Sequence, residues 1–253
     1  MKSIVIIPTY NERENIRELI TAIRTEVTKY NLSILVVDSA SPDKTAEVVK
    51  DLINLDPRIF LLSQEAKLGL GRAYRDGMEW ALKNDFDRII TMDADFSHHP
   101  RYLTKLLAES EQKELVVGSR YIRGGELKNW ALARRILSRF ANFYATCITG
   151  LPFSDLTSGF HCFHSNLLKE ILKDSLRADG YAFLIGLKFL AVVHGANCSE
   201  IPIIFNDRTK GESKISKRVI WESIFFVWKC FLQRHRLKKI NLNYKANANT
   251  NTI

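Results

Sequence analysis

Cysteine is scarce in this chain of 253 residues, and its four copies, Cys147, Cys162, Cys198 and Cys230, stand far apart with no C-x-x-C pair. That spacing argues against a zinc site and a disulfide framework and fits a reducing compartment. The six histidines never fall into H-E-x-x-H spacing, and neither a G-x-S-x-G elbow nor a Walker-type lysine loop is present. Metalloprotease, serine hydrolase and P-loop readings therefore lack support. The closest approach to a dinucleotide fingerprint is Gly69-Leu70-Gly71, but Tyr74 stands where the third glycine belongs and the segment follows the third predicted strand, not the first. Long apolar runs are also missing. The stretch 219–232 is rich in aromatics, yet it contains Glu222 and Lys229, and spanning a bilayer needs ~20 apolar residues. At the start, the apolar run Ile4–Ile7 is too short for a signal peptide and is followed by polar residues, so it reads as a first strand of a cytoplasmic protein.

What the chain has in excess is positive charge, +9 overall. Between Asp207 and Lys239 ten Lys/Arg face three acidic residues. Such a surface suits anionic lipid, nucleic acid or a phosphorylated ligand. Within it, Ile220, Ile224, Val227, Trp228 and Phe231 form one helical stripe, with Trp221, Phe225 and Leu232 widening it. The segment reads either as a helix packed on the main domain or as an interfacial helix, with aromatics at the headgroups and basic residues on anionic lipid. The polar tail from residue 240 to 253 reads as disordered.

Short apolar runs alternate with helical patterns along the chain: Ile4–Ile7, Ile34–Val37, Ile59–Leu62, Arg88–Met92 and Leu115–Val117 are predicted strands. Ile16, Leu19, Ile20, Ile23 and Val27 recur at helical spacing, with Asn11 as the expected N-cap, and Thr45–Leu55 and Arg72–Lys83 supply further helices. This alternation predicts an α/β fold with a mostly parallel sheet flanked by helices, which binds ligands outside the carboxyl ends of its strands. The polar clusters Pro8–Glu12, Asp38–Thr45 and Asp93–Pro100 all follow predicted strands. In the last of them, Asp93 and Asp95 are two residues apart, which in an extended chain directs both carboxylates to one side. Their repulsion is relieved by a divalent cation that also binds phosphate oxygens. His98 and His99 beside them read as turning the chain into Pro100.

Taken together, these segments resemble family 2 glycosyltransferases of GT-A fold, specifically the dolichyl-phosphate (polyprenyl-phosphate) mannosyltransferase group. The resemblance runs from Ile4 to about Lys217. It is carried by Pro8-Thr9-Tyr10-Asn11-Glu12, Val36-Val37-Asp38 with Ser41-Pro42-Asp43-Lys44-Thr45, and Met92 to Pro100. Further on it is carried by Gly118-Ser119-Arg120-Tyr121, Gly124-Gly125, Trp130, Thr157-Ser158-Gly159-Phe160, Asp207-Arg208 and Gly211-Glu212-Ser213-Lys214. The resemblance implies that Pro8, Tyr10, Glu12, Val37 and Asp38 line the nucleotide of a sugar donor, with Asp93 and the Ala94 backbone at its diphosphate. It implies Mg²⁺ or Mn²⁺ on Asp93, Asp95 and Ser97, catalytic work by Asp95, Arg120 and Arg134, and donor or acceptor phosphates on Arg120, Arg208 and Lys214.

The function so implied is inverting transfer of a hexose, most simply mannose from GDP-mannose, to a polyprenyl phosphate, with no nucleic-acid partner. UDP-glucose as donor, or a non-catalytic basic lipid-binding module, stand as the alternatives. The expected organisation is a catalytic domain over 1–217, a basic interfacial helix over 218–239 and the tail 240–253. The protein is expected at the cytoplasmic face of a membrane, bound peripherally or through a small membrane-anchoring subunit. Three positions depart from the resembled pattern: Ser39 where a second acid is common, Gly186 where a glutamate is frequent, and His161 where an arginine is frequent.

Overall fold

A computed structural model of the chain describes residues 1–174, 178, 180–206 and 225–233. Its centre is a seven-stranded sheet. In chain order the strands are β1 (Ser3–Thr9), β2 (Leu32–Asp38), β3 (Ile59–Ser63), β4 (Arg88–Thr91), β5 (Leu115–Ser119), β7 (His161–His164) and β8 (Cys198–Pro202). They lie in the order β3-β2-β1-β4-β7-β5-β8, and β7 alone runs antiparallel to its neighbours β4 and β5. A small second sheet pairs β6 (Glu126–Lys128) with β9 (Ile204–Asn206), setting Leu127 opposite Phe205.

The five expected strands are all present, and the alternation of side chains explains why they are apolar throughout. Ile4 and Ile6 point into one core and Val5 and Ile7 into the other, as a sheet covered on both faces requires. On one face lie α1 (Arg13–Glu26), α2 (Thr45–Ile53) and α4 (Leu103–Glu109), which contribute Ile16, Leu19, Val49 and Leu106. On the other lie α3 (Leu70–Lys83), α6 (Ser165–Lys173) and α7 (Gly180–Val193), together with part of α5 (Leu132–Thr149). Helix α3 approaches the sheet through Gly77, where a Cβ would stand 2.6 Å from Ile6 Cγ2 and 3.0 Å from Val37 Cγ2.

One local expectation is corrected. Asn11 does not cap α1; it adopts a φ of +57°, and the cap position is Glu12. The first N–H groups are served from the loop after β2 instead: Glu12 N–H donates to Thr45 Oγ1 at 3.1 Å and Arg13 N–H to Asp43 Oδ2 at 3.0 Å. Two strand-end loops are thereby tied together, satisfying donors that a helix start always leaves over. Residues 225–233, inside the segment expected as an interfacial helix, are helical. Val227 and Cys230 are buried in the core shared with α5, while Phe225, Trp228 and Leu232 are exposed. Trp228 Nε1 donates to Tyr144 on α5 at 2.9 Å. The rest of the 218–239 segment, including Trp221, and the 240–253 tail lie outside the described residues.

Candidate active site

A cleft of about 150 Å³ opens at the carboxyl ends of β4 and β5. Asp93, Asp95, Ser97 and His98 line it from the turn after β4, Arg120 from the end of β5, Trp130 from just before α5 and Arg134 from its first turn. Thr157, Ser158 and Gly159, Tyr181 on α7, and Phe205 on β9 complete the wall. Among the described residues no three His, Cys, Asp or Glu side chains gather into a metal cage.

The turn after β4 is shaped for its two acids. Phe96, between Asp95 and Ser97, sits at a φ of +61°, a costly conformation for a bulky residue and one that marks functional turns. Asp95 is buried and its Oδ1 accepts from Ser97 N–H at 3.1 Å. Asp93 is more open; its Oδ1 accepts from the Tyr74 hydroxyl at 3.0 Å. Burial, then the Asp93 carboxylate, raise the Tyr74 hydroxyl well above its usual pKa, so the bond is kept across the physiological range. His98 is stacked on Phe160 at 4.9 Å, and its Nδ1 accepts from Asp93 N–H at 3.1 Å. Burial lowers its pKa against the pull of Asp93 and Asp95, which favours a neutral ring. His99 has a local duty: it accepts from Arg101 N–H at 3.2 Å and caps the helical turn that begins at Pro100. Ser97 Oγ is buried on the cleft wall and, among the described residues, has no hydrogen-bond partner. Trp130 Nε1 is in the same position. Orphaned buried polar atoms of this kind call for a ligand. Two acids with a third oxygen fit a hard cation that takes its remaining ligands from phosphate and water.

On the far wall Arg120 is buried and bound to Asp155, Nε to Oδ2 at 2.6 Å and Nη2 to Oδ1 at 2.7 Å, with a further bond to Thr157 Oγ1 at 2.7 Å. Burial opposes charge on both partners. Their mutual attraction still prevails, raising the guanidinium pKa and holding Asp155 below the usual carboxylate range. Arg134 lies 3.8 Å above the Trp130 ring. A charge laid on an aromatic face in the lining of a cleft is well placed for a phosphate.

The cleft thus brings together Asp93, Asp95, Ser97, Arg120 and Arg134, with the Ala94 backbone between the two acids. It does not include Pro8, Tyr10, Glu12, Val37 or Asp38, which stand at the neighbouring ends of β1 and β2. Tyr10 carries Lys67 Nζ 3.8 Å above its ring, and Glu12 accepts from Asn15 Nδ2 at 2.8 Å. Val37 is a core residue packed toward α3. Asp38 spends its carboxylate on Thr9 Oγ1 at 2.8 Å and on the Ser41 N–H and hydroxyl at 3.0 and 2.6 Å. Ser39 donates to Gln64 Oε1 at 2.7 Å. Arg208 and Lys214 lie outside the described residues. Sequence reasoning passed over Tyr74, Lys67, Asp155 and Phe205. Asp155 stands two residues before a segment already singled out, so its charge was visible, whereas the Tyr74 contact has no signal in linear order.

The Glycosyl transferase family 2 model matches residues 4–172. A polyprenol monophosphomannose synthase of Mycolicibacterium smegmatis is 37% identical over 228 residues, 89% of this chain and 85% of that protein. An undecaprenyl-phosphate mannosyltransferase of Micrococcus luteus is 35% identical over 224 residues, 88% of this chain and 91% of that protein. Among solved structures, glucosyl-3-phosphoglycerate synthase of Mycobacterium tuberculosis with Mg²⁺ and uridine diphosphate superposes with a TM-score of 0.64 at 17% identity, covering 90% of this chain and 79% of that one. The same enzyme with Mn²⁺, uridine diphosphate and phosphoglyceric acid gives 0.63. At that identity the likeness shows the fold alone, the GT-A arrangement expected from the sequence.

Proposed function

Because this chain belongs to glycosyl transferase family 2 and is a glycosyltransferase, we propose that it transfers mannose from GDP-mannose to a polyprenyl phosphate, with inversion at the sugar carbon. The observation that carries the reading is the pairing of two walls in one cleft, an acidic one of Asp93, Asp95 and Ser97 and a basic one of Arg120 and Arg134. The names of the two curated relatives support mannose and a polyprenyl acceptor.

In this reading an oxygen of the acceptor phosphate attacks the anomeric carbon as the bond from that carbon to the diphosphate breaks, and the nucleoside diphosphate leaves. A phosphomonoester with a second pKa near ~6 is already mostly dianionic at neutral pH, so no side chain has to remove a proton. That agrees with His98, which is stacked and occupied by the Asp93 N–H. A divalent cation held by Asp93, Asp95 and Ser97 would neutralise charge on the departing diphosphate. The protein's own contribution is alignment. Tyr74 orients Asp93, and Asp155 holds Arg120 so that its charge stands on the cleft wall. Arg134 adds a second cation, placed over the Trp130 ring. Fixed charges of this kind act where charge develops in the transition state.

The acceptor's lipid chain needs a route to the cleft, and α5 offers one. The helix that carries Arg134 exposes Leu132, Ile136, Leu137, Phe140 and Phe143 along one side, next to Arg135 and Arg139. An apolar stripe flanked by cations suits the interface of an anionic, cytoplasmic leaflet. Among the described residues no helix is long and apolar enough to cross a membrane.

A screen of GDP- and UDP-sugars, with and without polyprenyl phosphate, tests the proposal. Lipid-linked mannose formed from GDP-mannose is the expected product. Transfer from UDP-glucose instead would replace the donor. No turnover with any donor, alongside retained liposome binding, would leave a lipid-binding module.

A further inference from the structure

Residues 154–159 belong to no helix or strand, and Thr157, Ser158 and Gly159 among them line the cleft beside Arg120. Side chains satisfy this segment's backbone. Glu200 accepts from Ser154 and Asp155 N–H at 2.8 and 3.1 Å, and Asn142 Oδ1 accepts from Leu156 and Thr157 N–H at 2.9 and 3.3 Å. The carbonyls are taken by a different group. Lys188, on α7 and without solvent exposure, donates to Leu156 O at 3.1 Å and Ser158 O at 2.8 Å, and it reaches His161 Nε2 at 2.7 Å. Leu184 O, in its own helix, is a longer fourth contact at 3.5 Å. Thr91 Oγ1 donates to Gly159 O at 2.7 Å and lies 3.0 Å from His161 Nδ1.

Counting hydrogens orders this network. The single Thr91 hydroxyl hydrogen goes to Gly159 O, so Thr91 accepts from His161, which places the imidazole hydrogen on Nδ1 and leaves Nε2 as an acceptor. An ammonium at Lys188 then has three donors for three near acceptors. Removing one proton leaves an acceptor unserved where no water reaches it. His161, one of the positions that depart from the resembled pattern, therefore has its partner on α7.

We propose that Lys188, acting with His161 and Thr91, is a positioning residue for the phosphate side of the cleft. Lys188 draws the carbonyls of Leu156 and Ser158 inward and Thr91 that of Gly159, which fixes the segment that presses Asp155 onto Arg120 and turns Thr157–Gly159 to the cleft. The inference rests on the reading that this cleft takes a phosphorylated acceptor. Burial brings the Lys188 ammonium down to about 7, with Asp155 and Glu200 favouring its charge and Arg120 opposing it. Burial and then Lys188, with a smaller effect from His98, hold His161 well below its usual value. The pair thus carries one positive charge, which is lost as pH rises through neutrality.

The test compares the full-length protein with Lys188→Met, which keeps length and apolar bulk but no donor. Calorimetric binding of GDP-mannose stays within about twofold, while kcat with a short-chain polyprenyl phosphate falls roughly 10²-fold, the scale of a 1 Å misplacement. Wild-type kcat/KM for the acceptor declines above about pH 7, and the variant lacks that limb. Wild-type kcat in Lys188→Met overturns the proposal. So does a wild-type profile flat over about pH 6.5 to 8.5, a result available even if the variant fails to fold. A wild type that transfers nothing to polyprenyl phosphate overturns the acceptor reading and this inference together, and its own inactivity distinguishes that outcome.

Discussion

The guanidinium of Arg120 lies flat against the carboxylate of Asp155, with Nε and Nη2 at 2.6 and 2.7 Å from its two oxygens and the Arg120 backbone N–H on the same group at 3.0 Å. Both residues are buried. A buried pair of this geometry is costly to break from one side, because the survivor is left charged and unpaired. Asp155→Asn is therefore expected to lower stability by roughly 3–5 kcal/mol in urea unfolding, and Arg120→Met with Asp155→Leu by less. The native pKa of Asp155 is depressed, so its contribution is complete above the unfolded value of ~4 and is lost as pH falls through the lower folded value. The double variant should accordingly lose less stability than wild type between neutral pH and about pH 3. Equal acid sensitivity in both would show that the pair does not set that limb.

The bond from Tyr74 to Asp93 predicts a second effect. Tyr74→Phe removes one hydroxyl from a fully buried ring whose partner stays in place. Stability should drop by only ~1 kcal/mol. Affinity for Mn²⁺ in the presence of nucleoside diphosphate should fall about 10- to 100-fold, as when the group orienting a ligand is lost. Unchanged metal affinity by titration calorimetry would mean Asp93 does not depend on this bond.

Asp95→Asn keeps the shape of the turn after β4 and the acceptor for Ser97 N–H. Transfer should decrease by at least ~10² while the unfolding midpoint shifts little. Wild-type turnover should vanish in excess chelator and return with Mg²⁺ or Mn²⁺. Full activity of the variant, or of wild type under chelator, would remove the metal from the site.

Phe140 and Phe143 stand exposed on α5 beside Arg135 and Arg139. Sedimentation with anionic liposomes is expected for wild type and should weaken with added salt, since each basic residue near the surface contributes ~1 kcal/mol that salt screens. Phe140→Glu with Phe143→Glu should abolish it and leave GDP-mannose binding intact. Retained sedimentation of that variant would move the lipid contact away from α5.

The acidic side of the site was legible in linear order because it depends on short-range geometry. Asp93 and Asp95 alternate at the end of an apolar strand, and strand pleat and sheet topology bring such a pair to a strand-end crevice wherever the chain goes next. Arg120 and Arg134 were assigned from the resemblance, and the structure places them just after β5 and in the first turn of α5, both lining the cleft. Val37 and Asp38, assigned to the nucleotide from the resemblance, stand at the end of β2, Val37 packed in the core beside Gly77 and Asp38 bonded to Thr9 and Ser41. Strand-end position does not tell which way a side chain turns. Asn11 failed as a cap because Asp43 and Thr45, some thirty residues on, supply what a local side chain was expected to give.

By itself the sequence determined the alternation of strands and helices, the two-sided apolar core and the acidic pair, all of which follow from periods of two and 3.6 residues and need no knowledge of distant contacts. Tertiary structure alone decided that β7 enters antiparallel between β4 and β5, setting Thr91 opposite His161. It also decided that Lys188 on α7 reaches that pair and the carbonyls behind the cleft, and that Tyr74 meets Asp93. Those are contacts between residues 19 to 70 positions apart, created when packing brings separate elements together, and no local pattern of charge or hydrophobicity encodes them.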